Sequence, residues 1–317
     1  MHLIGDVGGT NIRLAAFEGD PQAACRALLE GCHTPQQSLG WHQVADLPSA
    51  LTAFINDFSL PKRCHSLTLA VAGPTLPHQQ SFAFTNRAQG FCLGDLTGFA
   101  GQVEVINDFA AQASLITQLD AGQSQLIKPG KTRAGAKAVL GPGTGLGVAG
   151  LSQDGRVITG EGGNVALPYL PQAPLAKIDR HKRPGGQPRL EDALSGQGLE
   201  NIYAAQTGTR LAAAQISQAA FKGEARARAA FELFFDFAAL GAANQALQYM
   251  AAGGVYFVGA IMIRNLPLLD ATRFAETFCS IETHQDFLRD VPVHLVTAKT
   301  SGLAGLAAYL GAAAVAS

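Results

Sequence analysis

Short apolar runs that end in glycine-rich or acidic turns alternate with longer amphipathic stretches along this chain. The N-terminus predicts two strands around a tight turn, an apolar run at 1–5 and an alternating run at 12–17. Apolar positions at helical spacing predict a helix through Pro48–Phe58. More helices are predicted from about 191 to 250, and an Ala-rich helix closes the chain. Strands that alternate with helices indicate an α/β architecture.

Further strands are predicted at 66–72, 103–106, 138–140, 148–151 and 254–259. Several of them open onto glycine-rich or acidic turns. Ligands of α/β proteins gather at the carboxyl ends of strands. These turns are therefore where a functional site is expected.

The turn Asp6–Asn11 joins the first two strands. Gly8 and Gly9 let backbone N–H groups approach phosphate oxygens closely, and the hydroxyl of Thr10 adds a donor. Asp6 is predicted to hold Mg²⁺ through water, because Mg²⁺ keeps its hydration shell tightly. The alternative is a plain hairpin turn with an incidental aspartate.

A second turn, Gly141–Gly147, carries four glycines in seven residues, more than a simple turn needs. Thr144 is placed to contact a terminal phosphate. The turn is not a Walker motif, since no Lys-Ser/Thr pair follows the last glycine. A purely structural loop is the alternative.

A carboxylate stands at the exit of the strand at 103–106, in the segment Ile106–Phe109. A base for phosphoryl transfer must reach a substrate hydroxyl while the phosphates are held in line. Asp108 would take that proton late, as the phosphoryl group arrives. The alternative is that Asp108 caps the next helix.

Two glutamates lie in segments that could face an uncharged ligand. Glu161 and Asn164 share the short loop Gly160–Val165, and Glu191 lies near a predicted helix. Ionised carboxylates only accept hydrogen bonds, which suits the hydroxyl groups of a sugar. An ordinary surface position is the alternative for either glutamate.

Composition narrows the classes of function. The chain has 317 residues, of which 47% are hydrophobic and 15% charged, enough for a large core. A net charge of −1 without a basic block argues against nucleic acid as a partner. No targeting segment is evident, and the apolar run Gly302–Ala316 is too short to span a bilayer. We therefore expect a cytoplasmic protein without a membrane partner, and the five cysteines lack a C-x-x-C pair.

These turns and Asp108, in this order, resemble the ASKHA superfamily of sugar kinases, hexokinase, actin and chaperone ATPases. Within it the chain is most similar to the bacterial glucokinase family. The resemblance covers nearly the whole chain. The matching segments are Gly5–Ala15, Thr85-Asn86, Ile106–Phe109, Gly141–Leu151, Gly160–Val165 and Leu194–Leu199.

The resemblance implies a two-domain ASKHA fold, ribonuclease H-like, with the active site in the cleft between the domains. The domains would be 1–108 plus 299–317, and 109–298. The implied reaction moves the γ-phosphoryl group of Mg-ATP to the C6 hydroxyl of glucose, with Asp108 as general base. Dimers are common in this family. The implied substrate-binding residues are Asn86, Asn107, Asp108, Glu161, Asn164 and Glu191, and the implied ATP-binding residues are Asp6, Gly8, Gly9, Thr10, Asn11, Gly143, Thr144, Gly145 and Gly259.

Three positions depart from the family pattern. Asn164 stands where the family usually has a sugar-binding histidine. The segment Arg87–Gly90 replaces one that contains tryptophan, and Ala260 replaces the second adenosine-side glycine. The first two departures are on the sugar side, so a kinase for another hexose or for an amino sugar stays open.

Two further alternatives come from other classes of protein. A non-catalytic sugar-sensing protein is the first, and the presence of Asp6, Asp108 and Thr144 argues against it. A cytoskeletal or chaperone-type ATPase is the second, and Glu161 and Glu191 disfavour it. The basic loop at 178–186 is expected to be solvated, or to act as a lid that faces phosphate.

Overall fold

The computed structural model describes residues 1–8, 11–32, 34–73, 75–76, 78–83, 90–120, 122–171, 173, 186–298 and 302–314. The strands are β1 (His2–Val7), β2 (Asn11–Phe17), β3 (Gln36–Gly40), β4 (Cys64–Val71), β5 (Ser81–Ala83), β6 (Gly90–Cys92), β7 (Ala100–Asn107), β8 (Ser124–Lys128), β9 (Lys137–Pro142), β10 (Leu146–Leu151), β11 (Val157–Thr159), β12 (Val255–Phe257) and β13 (Val293–Val296).

The α-helices follow the same chain order. They are α1 (Pro21–Glu30), α2 (Leu47–Asp57), α3 (Asp108–Ser114), α4 (Gly196–Thr207), α5 (Ala213–Phe221), α6 (Ala225–Gln248), α7 (Ala260–Asn265), α8 (Ala271–Phe278), α9 (Gln285–Asp290) and α10 (Gly302–Ala314). The predicted α/β fold class is confirmed.

The chain divides into two compact units, each discontinuous in sequence. The first comprises Met1–Leu119, Gly155–Thr159 and Lys299–Ser317, and the second comprises Asp120–Asp154 and Gly160–Ala298. The domain limits expected from the resemblance stay a prediction.

The first unit contains a sheet in the order β3-β2-β1-β4-β7. The strands β1 and β2 pair antiparallel, which confirms the strand–turn–strand predicted at the N-terminus. The strands β1, β4 and β7 run parallel, with Val7 beside Val71 and Val71 beside Asn107. Their carboxyl ends therefore meet at one edge of the sheet, which carries the turn after β1 and the start of α3.

Both faces of this sheet are covered by other elements. Successive side chains of a strand point to opposite faces, so neighbouring residues of β1 belong to different core clusters. Leu3 lies in a core cluster with Phe54 of α2. Its neighbour Ile4 lies in a second cluster with residues of α1, α3 and α10. The apolar run at the N-terminus reads as continuous for this reason, as expected of a strand buried on both sides.

The second unit contains strands in the order β10-β9-β12-β13-β8. The hairpin β9–β10 closes over the glycine-rich turn, and β12 runs parallel to β9 and β13. The helix α6 is buried along most of its length and lies in the core cluster with residues of these strands. Its charged residues Arg226, Arg228 and Glu232 are exposed near its start, whereas residues 233–243 are buried throughout, as expected of a helix whose middle lies in a core.

Helix bounds differ from the predicted ones by small amounts with identifiable causes. The helix predicted through Pro48–Phe58 begins one residue earlier, because Asp46 accepts from the backbone N–H of Ser49 at 2.8 Å and caps it. The α-helix after β7 ends at Ser114, and a 3₁₀ turn continues to Gln118. The Ser114 hydroxyl donates to a carbonyl one turn back, a bond that often bends a helix.

The predicted Ala-rich helix at the C-terminus is confirmed as α10. Its side chains from Leu303 to Ala308 are buried in the first unit. Among the described residues, no helix is both long enough and apolar enough to cross a bilayer.

Candidate active site

Asn107 and Asp108 lie at the carboxyl end of β7, where α3 begins. The Asn107 side-chain oxygen accepts from the backbone N–H groups of Phe109 at 2.8 Å and Ala110 at 3.2 Å. Its Nδ2 donates to the carbonyl of Gly73 at 2.9 Å, which links this corner to the end of β4. Asn107 is therefore the cap of α3, and the alternative that Asp108 fills this position is wrong. Asp108 is the first residue of the helix and is half-buried.

Asp6 lies at the same sheet edge of the first unit. Its Oδ2 accepts from Nη1 of Arg13 at 2.8 Å, across the β1–β2 pair. The first residue of α10, Gly302, lies so close that a Cβ there would be 2.6 Å from Oδ2. A carboxylate at the start of a helix is favourably placed, because the helix dipole is positive there.

Gly8, the residue that follows β1, takes part in two hydrogen bonds. The N–H of Gly8 donates to the carbonyl of Asn11 at 3.0 Å. The indole Nε1 of Trp41 donates to the carbonyl of Gly8 at 2.9 Å, and the Trp41 side chain is buried. Gly9 and Thr10, which complete the predicted phosphate turn, lie outside the described residues.

The residues around Asp6 fit the expected Mg²⁺ in donor chemistry. A carboxylate has two oxygens and about four acceptor positions, so the Arg13 bond does not exhaust it. Mg²⁺ is usually bound by one or two carboxylates together with water and substrate phosphates. A single aspartate beside the turn predicted to bind phosphate is therefore compatible with the expected Mg²⁺.

The second glycine-rich turn is closed by its own backbone and by the segment before α4. The N–H of Gly143 donates to the carbonyl of Gly145 at 2.8 Å, and the carbonyl of Gly143 accepts from the N–H of Gly196 at 2.8 Å. Thr144 is exposed at the tip. The turn thus presents a hydroxyl on a rigid support.

Gly259, at the carboxyl end of β12, lies against this turn. Its φ of 105° belongs to the region that side chains rarely adopt, and a Cβ there would be 2.8 Å from the carbonyl oxygen of Pro142. Only glycine fits both the conformation and the contact. The fold therefore brings two of the predicted nucleotide segments of the second unit together.

Glu191 lies in a 3₁₀ turn, Leu190–Asp192, ahead of α4. Its Oε2 accepts from the backbone N–H of Leu146 at 3.0 Å. A Cβ on Gly145 would be 2.5 Å from the same oxygen. Glu191 is not the ordinary surface residue of the alternative interpretation, because its carboxylate is packed into the glycine-rich turn.

Glu161 immediately precedes a second 3₁₀ turn, Gly162–Asn164, which lies next to the first and ends at Asn164. The Nδ2 of Asn164 donates to Oε2 of Glu161 at 2.9 Å. Backbone pairing holds the two turns together, since the N–H of Leu190 donates to the carbonyl of Val165 at 2.9 Å. The predicted sugar-side residues of the second unit are thus adjacent.

Sequence reasoning missed two residues of these groups. Arg189 contacts Asn164, Glu191 and Asp192, and the spacing of Arg189 and Asp192, three residues apart, is the signal that could have revealed an ion pair. Trp41 gave no signal, because the residue it contacts is 33 positions away. The predicted residue Asn86 and most of the basic loop at 178–186 lie outside the described residues.

Comparison with known proteins shows the family of the chain. A sequence model of the family described as Glucokinase matches residues 3–313. A glucokinase from Nitrobacter hamburgensis is 32% identical over 97% of this chain and 96% of its own length. One from Pseudomonas paraeruginosa is 33% identical over 96% of this chain and 91% of its own length.

A solved structure is similar over the whole chain. A glucokinase crystal structure from an Antarctic psychrotroph superposes with a TM-score of 0.80 at 29% identity, over 100% of this chain and 99% of that one. Because the family match and the relatives span nearly the whole sequence, this chain belongs to the glucokinase family.

Proposed function

We propose that this chain transfers the γ-phosphoryl group of ATP to the C6 hydroxyl of glucose, with Asp108 as the general base. The observation that carries the base assignment is the cap at Asn107. Because Asn107 supplies the acceptor for the first N–H groups of α3, the competing capping role does not fall to Asp108. Membership of the glucokinase family supports the reaction.

On the phosphate side, the N–H groups of Gly8 and Gly143 are donated within their own turns, so the phosphate donors of the second turn would be those that follow Gly143. Thr144 would add its exposed hydroxyl. Asp6 would hold Mg²⁺ through water. When bound, Mg²⁺ would neutralise part of the negative charge of the phosphates. The ATP-side residues therefore serve to hold and orient the triphosphate.

On the sugar side, Glu161 and Glu191 supply carboxylate oxygens for the hydroxyl groups of the sugar. The Asn107 amide keeps one N–H beyond the bond to Gly73, and that N–H can donate to the sugar. Asn164 is held by Glu161 and presents its amide beside it. These residues would orient one hydroxyl of the sugar for transfer.

In the transfer step, the sugar oxygen forms a bond to the γ-phosphorus while the bond from phosphorus to the β–γ bridging oxygen breaks. The sugar hydroxyl loses its proton to Asp108 late in the step, and ADP leaves. The products are a sugar 6-phosphate, ADP and one proton.

The test is ADP release with Mg-ATP and glucose, compared with a control without sugar, for wild type, Asp108→Asn and Asp20→Asn. Asp20 caps α1, and asparagine caps equally well, so this variant is a matched control. Loss of a general base is expected to lower kcat by about 10²–10⁴-fold, while Asp20→Asn keeps the wild-type rate. Near-normal turnover in Asp108→Asn would contradict the base, and no glucose-dependent release in wild type would contradict the reaction.

Phosphorylation of another hexose or of an amino sugar is the second candidate, and the amide at Asn164 favours it. The family usually has a sugar-binding histidine at this position. The amide of asparagine differs from the imidazole of histidine in reach and shape, and this difference would act directly on the sugar. The wild-type enzyme, assayed with a panel of hexoses and amino sugars at equal concentration, separates the two candidates by the ranking of kcat/KM.

A further inference from the structure

Arg189 is a cation at the junction of the two 3₁₀ turns on the sugar side of the second unit. Its Nη1 donates to the side-chain oxygen of Asn164. Its Nη2 lies 3.2 Å from Oε1 of Glu191 and 2.9 Å from Oδ1 of Asp192. The side chain is 20% exposed, so these bonds are made in partial exclusion of water.

The Asn164 amide lies between Arg189 and Glu161. A guanidinium only donates and a carboxylate only accepts, so the amide must turn its oxygen to Arg189 and its nitrogen to Glu161. The two observed bonds agree with this: Arg189 donates to the Asn164 oxygen, and the Asn164 nitrogen donates to Glu161. Arg189 therefore fixes the orientation in which Asn164 meets a ligand.

The Glu191 carboxylate is held from two directions. Oε1 pairs with Arg189, and Oε2 accepts from the N–H of Leu146 in the glycine-rich turn. Without Arg189 the carboxylate keeps one restraint and can rotate about it. A carboxylate that rotates presents its free acceptor positions to the sugar in several directions.

Lysine cannot make the same set of contacts. Arg189 serves Asp192 through Nε and Nη2, Glu191 through Nη2 and Asn164 through Nη1, and a planar fork with five donors is what allows this. A single ammonium group at the end of a flexible stem satisfies one or two of these partners. Arg189→Lys therefore keeps the positive charge and removes the planar arrangement of donors that reaches all three partners.

We propose that Arg189 is a positioning residue that sets the specificity of the sugar site through Asn164 and Glu191. The proposal rests on the function proposed above, since it takes the sugar as the ligand of both residues. Arg189 acts on the sugar through these partners and has no part in binding ATP.

The test measures KM for glucose, KM for ATP and kcat, with glucose binding by calorimetry, for wild type, Arg189→Lys and Arg210→Lys. Arg210 is a control because it also pairs with a glutamate, Glu200, at 3.5 Å. Loss of a hydrogen bond to a charged partner is expected to raise KM and Kd for glucose about tenfold in Arg189→Lys. KM for ATP should stay within about twofold of wild type in both variants. Equal rises in both KM values, or none, overturn the proposal.

A double-mutant cycle with Asn164→Ala gives a second readout. If Arg189 acts through Asn164, Arg189→Lys changes glucose affinity less in the Asn164→Ala background than in wild type. Strictly additive effects overturn this route. The two failures are distinguishable: wild-type protein that neither binds nor phosphorylates glucose removes the proposed function. Wild-type behaviour of Arg189→Lys in an active enzyme removes only the role of Arg189.

Discussion

The packing of α10 against α3 predicts that Gly305→Ala displaces the helix that carries Asp108. Both helices belong to the first unit, and a Cβ on Gly305 would be 2.2 Å from the carbonyl oxygen of Ala111 and 2.6 Å from its carbonyl carbon. Ordinary contact begins at about 3.4 Å, so the helices must separate by about 1 Å at this point. The obstacle is backbone, which cannot rotate away as a side chain can.

The magnitude follows from two opposing effects. Alanine in place of glycine inside a helix stabilises by about 0.5–1 kcal/mol. Overpacking of a tight contact costs about 1–3 kcal/mol. Gly311→Ala is the matched control on the same helix, because its new Cβ would meet first the flexible Gln22 side chain, at 3.2 Å. We expect Gly311→Ala to be neutral or stabilising and Gly305→Ala to be less stable than this control by about 1–3 kcal/mol.

The assay is urea unfolding followed by tryptophan fluorescence. The chain has one tryptophan, Trp41, which is buried in the same unit as α10, so the signal reports on that unit. We also expect kcat to fall in Gly305→Ala and to be kept in Gly311→Ala, because Asp108 begins α3. Equal unfolding midpoints and equal kcat in the two variants would refute the packing argument.

Three further changes have clear expected outcomes. Asn164→His should shift the ratios of kcat/KM among hexoses by about tenfold, and unchanged ratios across a sugar panel would dismiss a role of Asn164 in sugar choice. Lys128→Met should lower the free energy of unfolding, measured by calorimetry, by about 1–3 kcal/mol more than Lys131→Met does, because the buried Lys128 ammonium donates to three backbone carbonyls and the change removes that donor. Burial lowers the pKa of His294 below 6.5, so the unfolded chain binds more protons and stability falls as pH drops through 6.5. His294→Phe keeps a ring against Tyr256 and removes the titrating group. Its unfolding temperature should therefore fall less than that of wild type between about pH 7.5 and 5. An equal fall of the unfolding temperature in the two proteins would contradict this.

Much of the fold could be predicted from the sequence because its signals are local. Short apolar runs marked the strands, and the turns after β1, β7 and β9 fell at strand ends where ligands gather. Periodicity did not resolve who caps α3, since Asn107 and Asp108 are both good caps. The structure shows a contact that the local sequence does not encode: the Asn107 amide donates to the carbonyl of Gly73, in the segment that follows β4.

The residues that sequence reasoning missed act through contacts that no local pattern encodes. Trp41 reaches the carbonyl of Gly8 because β2 and β3 pair and bring the turn after β3 beside the turn after β1. Arg189 reaches Asn164 because the backbones at Val165 and Leu190 pair. In both cases a large side chain donates an N–H group to a partner that is distant in sequence, and that partner is set by sheet register or loop pairing.

The contacts of Glu191 change how the glycine-rich turn of the second unit is understood. Read as sequence, its glycines suggest only that phosphate must approach the backbone. In the folded unit a Cβ on Gly145 would collide with the Glu191 carboxylate, which instead accepts the N–H of Leu146. Gly145 therefore leaves room for the carboxylate of Glu191, which is proposed to bind the sugar. Under the proposed function, one backbone segment would support both the phosphate contacts and a sugar ligand, so a movement of the turn would alter the binding of both substrates.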